Sequence, residues 1–336
     1  MRRKPSSSIP WGTIGLWYAA SALSGVTSKQ ILEEMTCPFL LSACQFTIAY
    51  MCHSVVARRT RRSELNDPVE TTNSYRVLVL SAWTFSLGMN CFNSGFSIMH
   101  VSINETLRAL EPFVVVLLVA CTFARDRRLS RNRLISMLPI ALGVYLSAIS
   151  NKAFSFPGLA VTMLANVFIT LRAALIKRIE SFIPADVIFS STLYYAMQLQ
   201  WLLAGVSIVH GGLHRRFDFN TKEILFAHVN GIFFYVHHRC SYIVLTTTDL
   251  LKHGIANAMR RVSTILFSVS YFAVPLHPTN ACGMAIACVG AWFHSYALQH
   301  ELHPSHTHPT NASNTTSDNK SSESSTKHSK SKNLVV

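Results

Sequence analysis

The sequence predicts an all-α membrane protein of about ten transmembrane helices, and three observations support this fold class. Of the 336 residues, 49% are hydrophobic and only 14% are charged, whereas soluble domains carry about 25% charged residues. The apolar residues form segments of roughly 20 residues, the length that a helix needs to cross about 30 Å of hydrocarbon. Basic residues concentrate between these segments. The net charge of +14 therefore reflects topology in a lipid bilayer, and no nucleic-acid partner is predicted.

Ten segments qualify as spans. The first is too long for a signal peptide and lacks a cleavage site, so we interpret it as a span with no transit peptide before it. The third and eighth contain the most polar residues. We predict spans at 11–32, 37–57, 76–98, 102–124, 133–150, 156–176, 184–209, 223–246, 252–274 and 279–299.

Loop charges predict the orientation. One set of alternating connections is much richer in Lys and Arg, and this enrichment is typical of the cytosolic side. An even number of spans then places both termini in the cytosol. The cytosolic set contains Arg2, Arg3, Lys4, Arg58, Arg59, Arg61, Arg62, Arg125, Arg127, Arg128, Arg131, Arg133, Lys177, Arg178 and Lys252. The opposite set contains Lys29, Lys152, Arg215, Arg216 and Lys222.

The C-terminal tail, residues 303–336, is rich in Ser, Thr, Asn, His and Lys and is predicted to be disordered. Sequons at Asn311, Asn314 and Asn319 would place it in a lumen if they were glycosylated. We give the charge asymmetry more weight, because sequons arise by chance in such tracts. No metal or cofactor site is predicted: the eight cysteines form no CxxC pair, and the histidines near 303–308 fit a polar tail.

Ten spans divide into two sets of five, and five is odd, so the two halves would insert in opposite orientations. Inverted repeats of this kind are a recurring transporter design with the substrate at the midplane. The predicted organisation is a cytosolic N-terminus at 1–10, a first half at 11–150, a second half at 151–302 and the tail.

The fourth span of each half contains intramembrane arginine: Arg108 in the first, and Arg260 with Arg261 in the second. An arginine at the bilayer centre costs about 2.5–3.5 kcal/mol on insertion scales. These side chains should therefore face water or an anionic partner, which predicts an anion site. Glu105 and Glu111 lie three residues to either side of Arg108, so a structural ion pair, or a gate in which substrate competes with a carboxylate, is the alternative.

Two further features concern these spans. Pro112 should bend the fourth span, because proline cannot donate to the helix ladder. His237, His238 and Arg239 lie in the middle of the eighth span and should face a cavity. Arg172 in the sixth span is a weaker candidate, since it approaches Lys177 near the interface.

At these residues the sequence resembles the triose-phosphate translocator family of the drug/metabolite transporter superfamily. VSINETLRALEPFVVVLL at 101–118 is similar to the family's fourth span, and NAMRRV at 257–262 is similar to its NCVKRV. Further similarities in order are SGVTSKQIL at 24–32, LSACQFT at 41–47 and PTNACGMAIACVGAWFHSYA at 278–297. The resemblance covers about residues 11–300 and implies ten helices in two inverted five-helix halves.

The resemblance also implies a substrate site. The family's phosphate-contacting lysine in the fourth span falls on Arg108, and its Lys-Arg pair falls on Arg260 and Arg261. Arginine binds phosphate through a two-pronged fork, so anion binding would persist. A pocket tyrosine falls on His237. Two third-span pocket positions, a His and a Thr in plastid members, fall on Met89 and Phe92, and a nearby Asn is kept as Asn93. Met89, Phe92 and His237 make one wall of the pocket more apolar than in plastid members.

The predicted function is antiport of a phosphorylated organic metabolite, such as a triose or sugar phosphate, for inorganic phosphate or another phosphorylated compound in an organelle membrane. The first alternative is a nucleotide-sugar transporter of the Golgi or endoplasmic reticulum. The second is a receptor or regulatory protein that keeps the fold without transport. An enzyme is not expected, since the spans contain no Ser/His/Asp arrangement and no HExxH motif.

Overall fold

The computed structural model describes residues 11–35, 37–60, 72–122, 131–149, 154–180, 182–210, 221–247, 250–274 and 277–302. All regular secondary structure in these ranges is helical. The predictions for the N-terminal ten residues, the tail and most basic loops fall outside them. The helices are α1 Trp11–Glu34, α2 Pro38–Thr60, α3 Thr72–Ile98, α4 Val101–Arg108, α5 Glu111–Thr122, α6 Arg131–Ile149, α7 Phe156–Ile179, α8 Ala185–His210, α9 Thr221–Thr247, α10 Leu250–Tyr271 and α11 Pro278–Leu302.

Nine of the ten predicted spans correspond to one helix each, whereas the fourth is broken into α4 and α5. Pro112 lacks an N–H and cannot bond the carbonyl of Arg108, one turn earlier. At the break the N–H groups of Ala109 and Leu110 instead donate three residues back, over 3.0 Å each, to Thr106 and Leu107. The predicted distortion is therefore a full interruption.

The helices pack in a restricted set of pairs. The most extensive pairs are α6 with α11, α3 with α7, α1 with α9, and α2 with α8. In terms of spans these are 5 with 10, 3 with 6, 1 with 8, and 2 with 7. Suppose that each span of the first half is exchanged with the span five positions later. The pair 1–8 then becomes the pair 6–3, and the pairs 5–10 and 2–7 stay the same. The pairing has the pattern that two related halves would produce, while their inversion stays a prediction.

The α6–α11 pair depends on glycine. A Cβ at Gly143 would lie 2.6 Å from the carbonyl oxygen of Gly283, and a Cβ at Gly283 would lie 2.7 Å from that of Gly143. Both distances are too short for any side chain. The two backbones therefore approach closely, as membrane helices do at small residues.

Apolar side chains cover much of the outer surface. Leu138, Leu202 and Val209 are each more than 60% exposed, as expected for contact with lipid. By length and composition, however, only Pro38–Arg58 and Phe156–Ile179 meet the criteria for a membrane span among the described residues. Length excludes some of the others: α5 is apolar but has only 12 residues, and Leu134–Ile149 is also a shorter apolar helix.

One topological assignment is wrong. Lys29 was expected in a loop on the non-cytosolic side, but it belongs to α1 and is 7% exposed. Its Nζ donates to the carbonyl oxygen of Phe96 over 2.8 Å and lies 3.5 Å from Glu33. A buried lysine of this kind joins two helices and carries no information about orientation.

Candidate functional site

The break in the fourth span places Arg108 at the C-terminus of α4. Its guanidinium carbon lies 4.4 Å from the ring centroid of Phe92 in α3, a cation–π distance. Its Nη1 lies 3.5 Å from Oε1 of Glu105, which is buried. A cation at the end of α4 and Glu111 at the start of α5 both suit the dipoles of these helices.

Arg260 extends from α10 toward α1 and α4. Its Nη1 donates to Oγ of Ser21 over 2.7 Å, and its Nε donates to Oδ1 of Asn257 over 3.1 Å. Its Nη2 lies 3.8 Å from Oε2 of Glu105. Although the residue is only 3% exposed, its charge is balanced by polar groups from three helices.

Arg261 points in a different direction, because neighbouring residues on a helix differ by about 100°. Its Nη2 forms an ion pair with Oε2 of Glu111, which links α10 to α5. Arg108 was expected to choose between Glu105 and Glu111 on one helix face. The break separates Arg108 from Glu111, so that Glu111 pairs with Arg261 instead.

These five residues, Arg108, Arg260, Arg261, Glu105 and Glu111, form what we call the arginine cluster. Glu105 lies between Arg108 and Arg260, and the five formal charges sum to a single positive charge. Two buried donors, Arg108 Nε and Arg261 Nη1, have no hydrogen-bond partner among the residues that the structure describes. Leaving a buried donor unpaired costs about 1–3 kcal/mol, so the cluster has capacity for an added acceptor.

A histidine pair lies beside the cluster. The ring centroids of His237 and His238 are 4.5 Å apart, and both rings interact electrostatically with Arg108 and Arg260. His238 also packs edge-on against Phe85 at 5.1 Å. His237 and His238 thus lie within electrostatic range of the predicted cations, and His238 packs against the rings of Phe85 and Phe234.

Arg172 lies closer to the other candidate residues than the sequence indicated. Its guanidinium lies 3.8 Å from the ring centroid of Phe85, and it interacts electrostatically with His238. Within the described residues no carboxylate pairs with it. By contrast, Arg239 bonds the exposed Asp186 over 2.8 Å and does not join the cluster.

The three candidate residues of the third span lie in different surroundings. Phe92 contacts Arg108, as described above. Met89 is buried in an apolar core between α2, α3, α8 and α9. Nδ2 of Asn93 donates to Ser42 Oγ over 2.8 Å and to Gln45 Oε1 over 2.9 Å, in a network that fastens α3 to α2. The structure thus does not bring Asn93 to the cluster.

Sequence reasoning missed Ser21 and Asn257, which both bond Arg260. Asn257 precedes Arg260 by three residues, a spacing that puts the two side chains on one helix face. Ser21 carries no such signal, because its contact depends on how α1 and α10 pack.

The described residues thus form a helical bundle that buries a net positive cluster among its helices. The chain belongs to the Triose-phosphate Transporter family, whose sequence model matches residues 12–295. This match confirms the resemblance inferred from the motifs.

Curated relatives support the same family. The chain is 27% identical over 288 residues to a chloroplastic phosphoenolpyruvate/phosphate translocator 3 of Oryza sativa subsp. japonica, covering 83% of this chain and 72% of the relative. It is 25% identical over 307 residues to a chloroplastic xylulose 5-phosphate/phosphate translocator of Arabidopsis thaliana, covering 88% and 72%. A solved crystal structure with 18% identity matches 88% of this chain and 98% of its own at a TM-score of 0.56, which shows the fold.

Proposed function

We propose that this protein is an antiporter that exchanges a phosphorylated organic metabolite for inorganic phosphate or another phosphorylated compound. The observation that carries the proposal is the convergence of Arg108, Arg260 and Arg261 on one buried cluster, with two donors unpaired. Relatives named as phosphate translocators for phosphoenolpyruvate and xylulose 5-phosphate support it.

The cluster suggests why transport would be an exchange. In the empty protein Glu105 and Glu111 partly neutralise the three arginines, and one positive charge remains buried. A singly charged phosphate, H2PO4−, would cancel this charge and take over donors from the carboxylates, through charge-assisted hydrogen bonds. Because moving an uncompensated charge through a low-dielectric interior is costly, the loaded protein would change conformation more easily than the empty one.

Arg172 supports a substrate with a second negative or oxygen-rich group. It shares His238 with the arginine cluster as an electrostatic neighbour, and no carboxylate in the described residues neutralises it. A phosphate at the cluster would leave Arg172 available for a carboxylate at the other end of a small metabolite. Phosphoenolpyruvate, which one relative is named for, has this arrangement.

The wider organisation belongs to the same proposal. We place the substrate between two inverted halves, 11–150 and 151–302, with both termini in the cytosol and the protein in an organelle membrane. The exchange symmetry of the helix pairs supports two related halves. An accessibility test with cysteine reagents on single-cysteine variants at the helix ends would measure the orientation.

A nucleotide-sugar transporter is the second candidate, because one observation favours it. Phe46, Phe85 and Phe234 form an aromatic cluster beside His238, in the apolar core that contains Met89, with Phe85 and Phe234 stacked at 6.5 Å. Aromatic rings suit stacking with a nucleobase. The cluster would then hold a diphosphate.

The test is counter-exchange in liposomes that contain the purified full chain. Vesicles preloaded with inorganic phosphate, phosphoenolpyruvate, triose phosphate or a nucleotide sugar are offered labelled phosphate or labelled nucleotide monophosphate. The proposal expects phosphate uptake that requires an internal phosphorylated metabolite. Uptake only against nucleotide sugars supports the second candidate, and uptake without any internal substrate contradicts strict exchange.

A further inference from the structure

A buried amide lies on the face of α7 that approaches α4. Asn166 is 1% exposed, yet within the described part of the chain neither Oδ1 nor Nδ2 has a hydrogen-bond partner. One turn further along α7, Oγ1 of Thr170 is also buried and unpartnered. Buried polar groups are normally paired, so a residue that is unpaired at both ends of its amide needs an explanation.

Packing contacts between α3 and α7 determine the height of Asn166 along the bundle axis, which we call its level. A Cβ on Gly88 would lie 3.0 Å from Ile169, and a Cβ on Gly158 would lie 2.6 Å from Met99. From Gly88 in α3 to Met99 just after its end, the contacts on α7 move back from Ile169 to Gly158. The two helices are therefore antiparallel. On this register Phe92 of α3 lies level with Ala165 of α7, directly before Asn166.

A second set of contacts gives the same level independently. Oγ1 of Thr162 donates to Oδ1 of Asn104 in α4 over 2.6 Å, and Asn104 packs on Gly95. The chain therefore turns back after α3, so α4 runs parallel to α7. Four residues beyond this contact, Asn166 comes level with Arg108, whose guanidinium lies over Phe92.

The direction of the side chain follows from helix periodicity. Residues four apart lie on one helix face, so Asn166 shares the face from which Thr162 contacts α4. Asn166 thus extends from α7 toward the end of α4, where Arg108 begins the arginine cluster. Its amide offers two N–H donors on Nδ2 and one acceptor, Oδ1.

We propose that Asn166 is a specificity-determining residue that hydrogen-bonds an oxygen substituent on the organic part of a substrate whose phosphate is held by Arg108. This inference rests on the proposed function and adds to it the position that distinguishes an organic phosphate from inorganic phosphate. A carbonyl, hydroxyl or carboxylate oxygen next to the phosphate ester would pair with the amide. Inorganic phosphate has no such group and would bind without it.

The experiment compares Asn166→Leu and Asn166→Ser with wild type in liposomes. Labelled phosphate exchange is inhibited with unlabelled inorganic phosphate, phosphoenolpyruvate or triose phosphate. For Asn166→Leu we expect the half-inhibitory concentration of the organic phosphates to rise about tenfold or more, the loss of one good hydrogen bond, while that of inorganic phosphate changes less than about twofold. Asn166→Ser, which keeps a donor and an acceptor, should lie between.

Asn90→Leu is the matched control. Asn90 is likewise buried with an unpartnered amide, but it lies two residues from Phe92 and therefore on a different face of α3. The Asn90→Leu variant should therefore keep the wild-type ratio between the half-inhibitory concentrations of organic and inorganic phosphate. An unchanged ratio in both Asn166 variants, or an equal shift for inorganic and organic phosphates, overturns the inference alone. Absence of phosphate exchange in wild type overturns the proposed function and the inference with it.

Discussion

Glu111 at the start of α5 forms an ion pair with Arg261 of α10. The pair joins the two sides of the bundle, because α5 belongs to the first half of the chain and α10 to the second. It exists because the helix ends at Arg108 and restarts at Glu111, which frees Glu111 from its sequence neighbour. Under the proposed function, Glu111 would have to release Arg261 when phosphate arrives.

Replacing Arg261 with alanine should strongly reduce transport. In Arg261→Ala the cluster loses one of its three cations and its net charge falls to zero, so we expect phosphate exchange to decrease at least tenfold in liposomes. Arg261→Lys keeps the charge but not the fork and should retain part of the activity. Arg178→Ala, at the exposed end of α7, is the control; a similar loss in that variant would show that the effect is not specific to the cluster.

The Glu105→Gln substitution should make the thermal stability of the protein depend on bound phosphate. The substitution leaves Arg108 and Arg260 buried without their shared counter-charge, and breaking such a pair costs about 3–5 kcal/mol. We expect the melting temperature in detergent to fall when phosphate is absent, and inorganic phosphate to restore more stability than it gives wild type. Equal phosphate-induced shifts in both proteins would indicate that Glu105 and the ligand do not share the arginines.

The sequence was informative wherever a residue conflicts with its surroundings. A charge in an apolar segment is visible without a structure, so Arg108, Arg260 and Arg261 could be singled out, and Pro112 marked the helix break. Partners were harder to predict, because they depend on helix rotation and register. Asn93 shows this: a polar residue in a span is equally compatible with a substrate site and with a network between helices, and its contacts with Ser42 and Gln45 follow only from packing.

The close approach of α6 and α11 gives a prediction about stability. In Gly143→Ala the new Cβ would collide with the backbone of α11, and overpacking of this kind costs about 1–3 kcal/mol. We expect a lower melting temperature in detergent. Gly205→Ala is the matched control, because a Cβ there meets nothing within 4 Å and alanine favours helix by about 0.5–1 kcal/mol. If both variants melt alike, the glycine contact does not hold the pair together.

Arg172 should select for substrates with a second negative group. In Arg172→Gln the arginine cluster is untouched, so exchange of inorganic phosphate should stay near the wild-type rate. Phosphoenolpyruvate would lose a charge-assisted contact for its carboxylate, worth about 1.5–3 kcal/mol, and its half-inhibitory concentration should rise at least tenfold. Triose phosphate, which has no carboxylate, provides the internal comparison. A parallel loss for all three compounds would mean that Arg172 supports the packing around Phe85 rather than the substrate, because its guanidinium also lies over that ring.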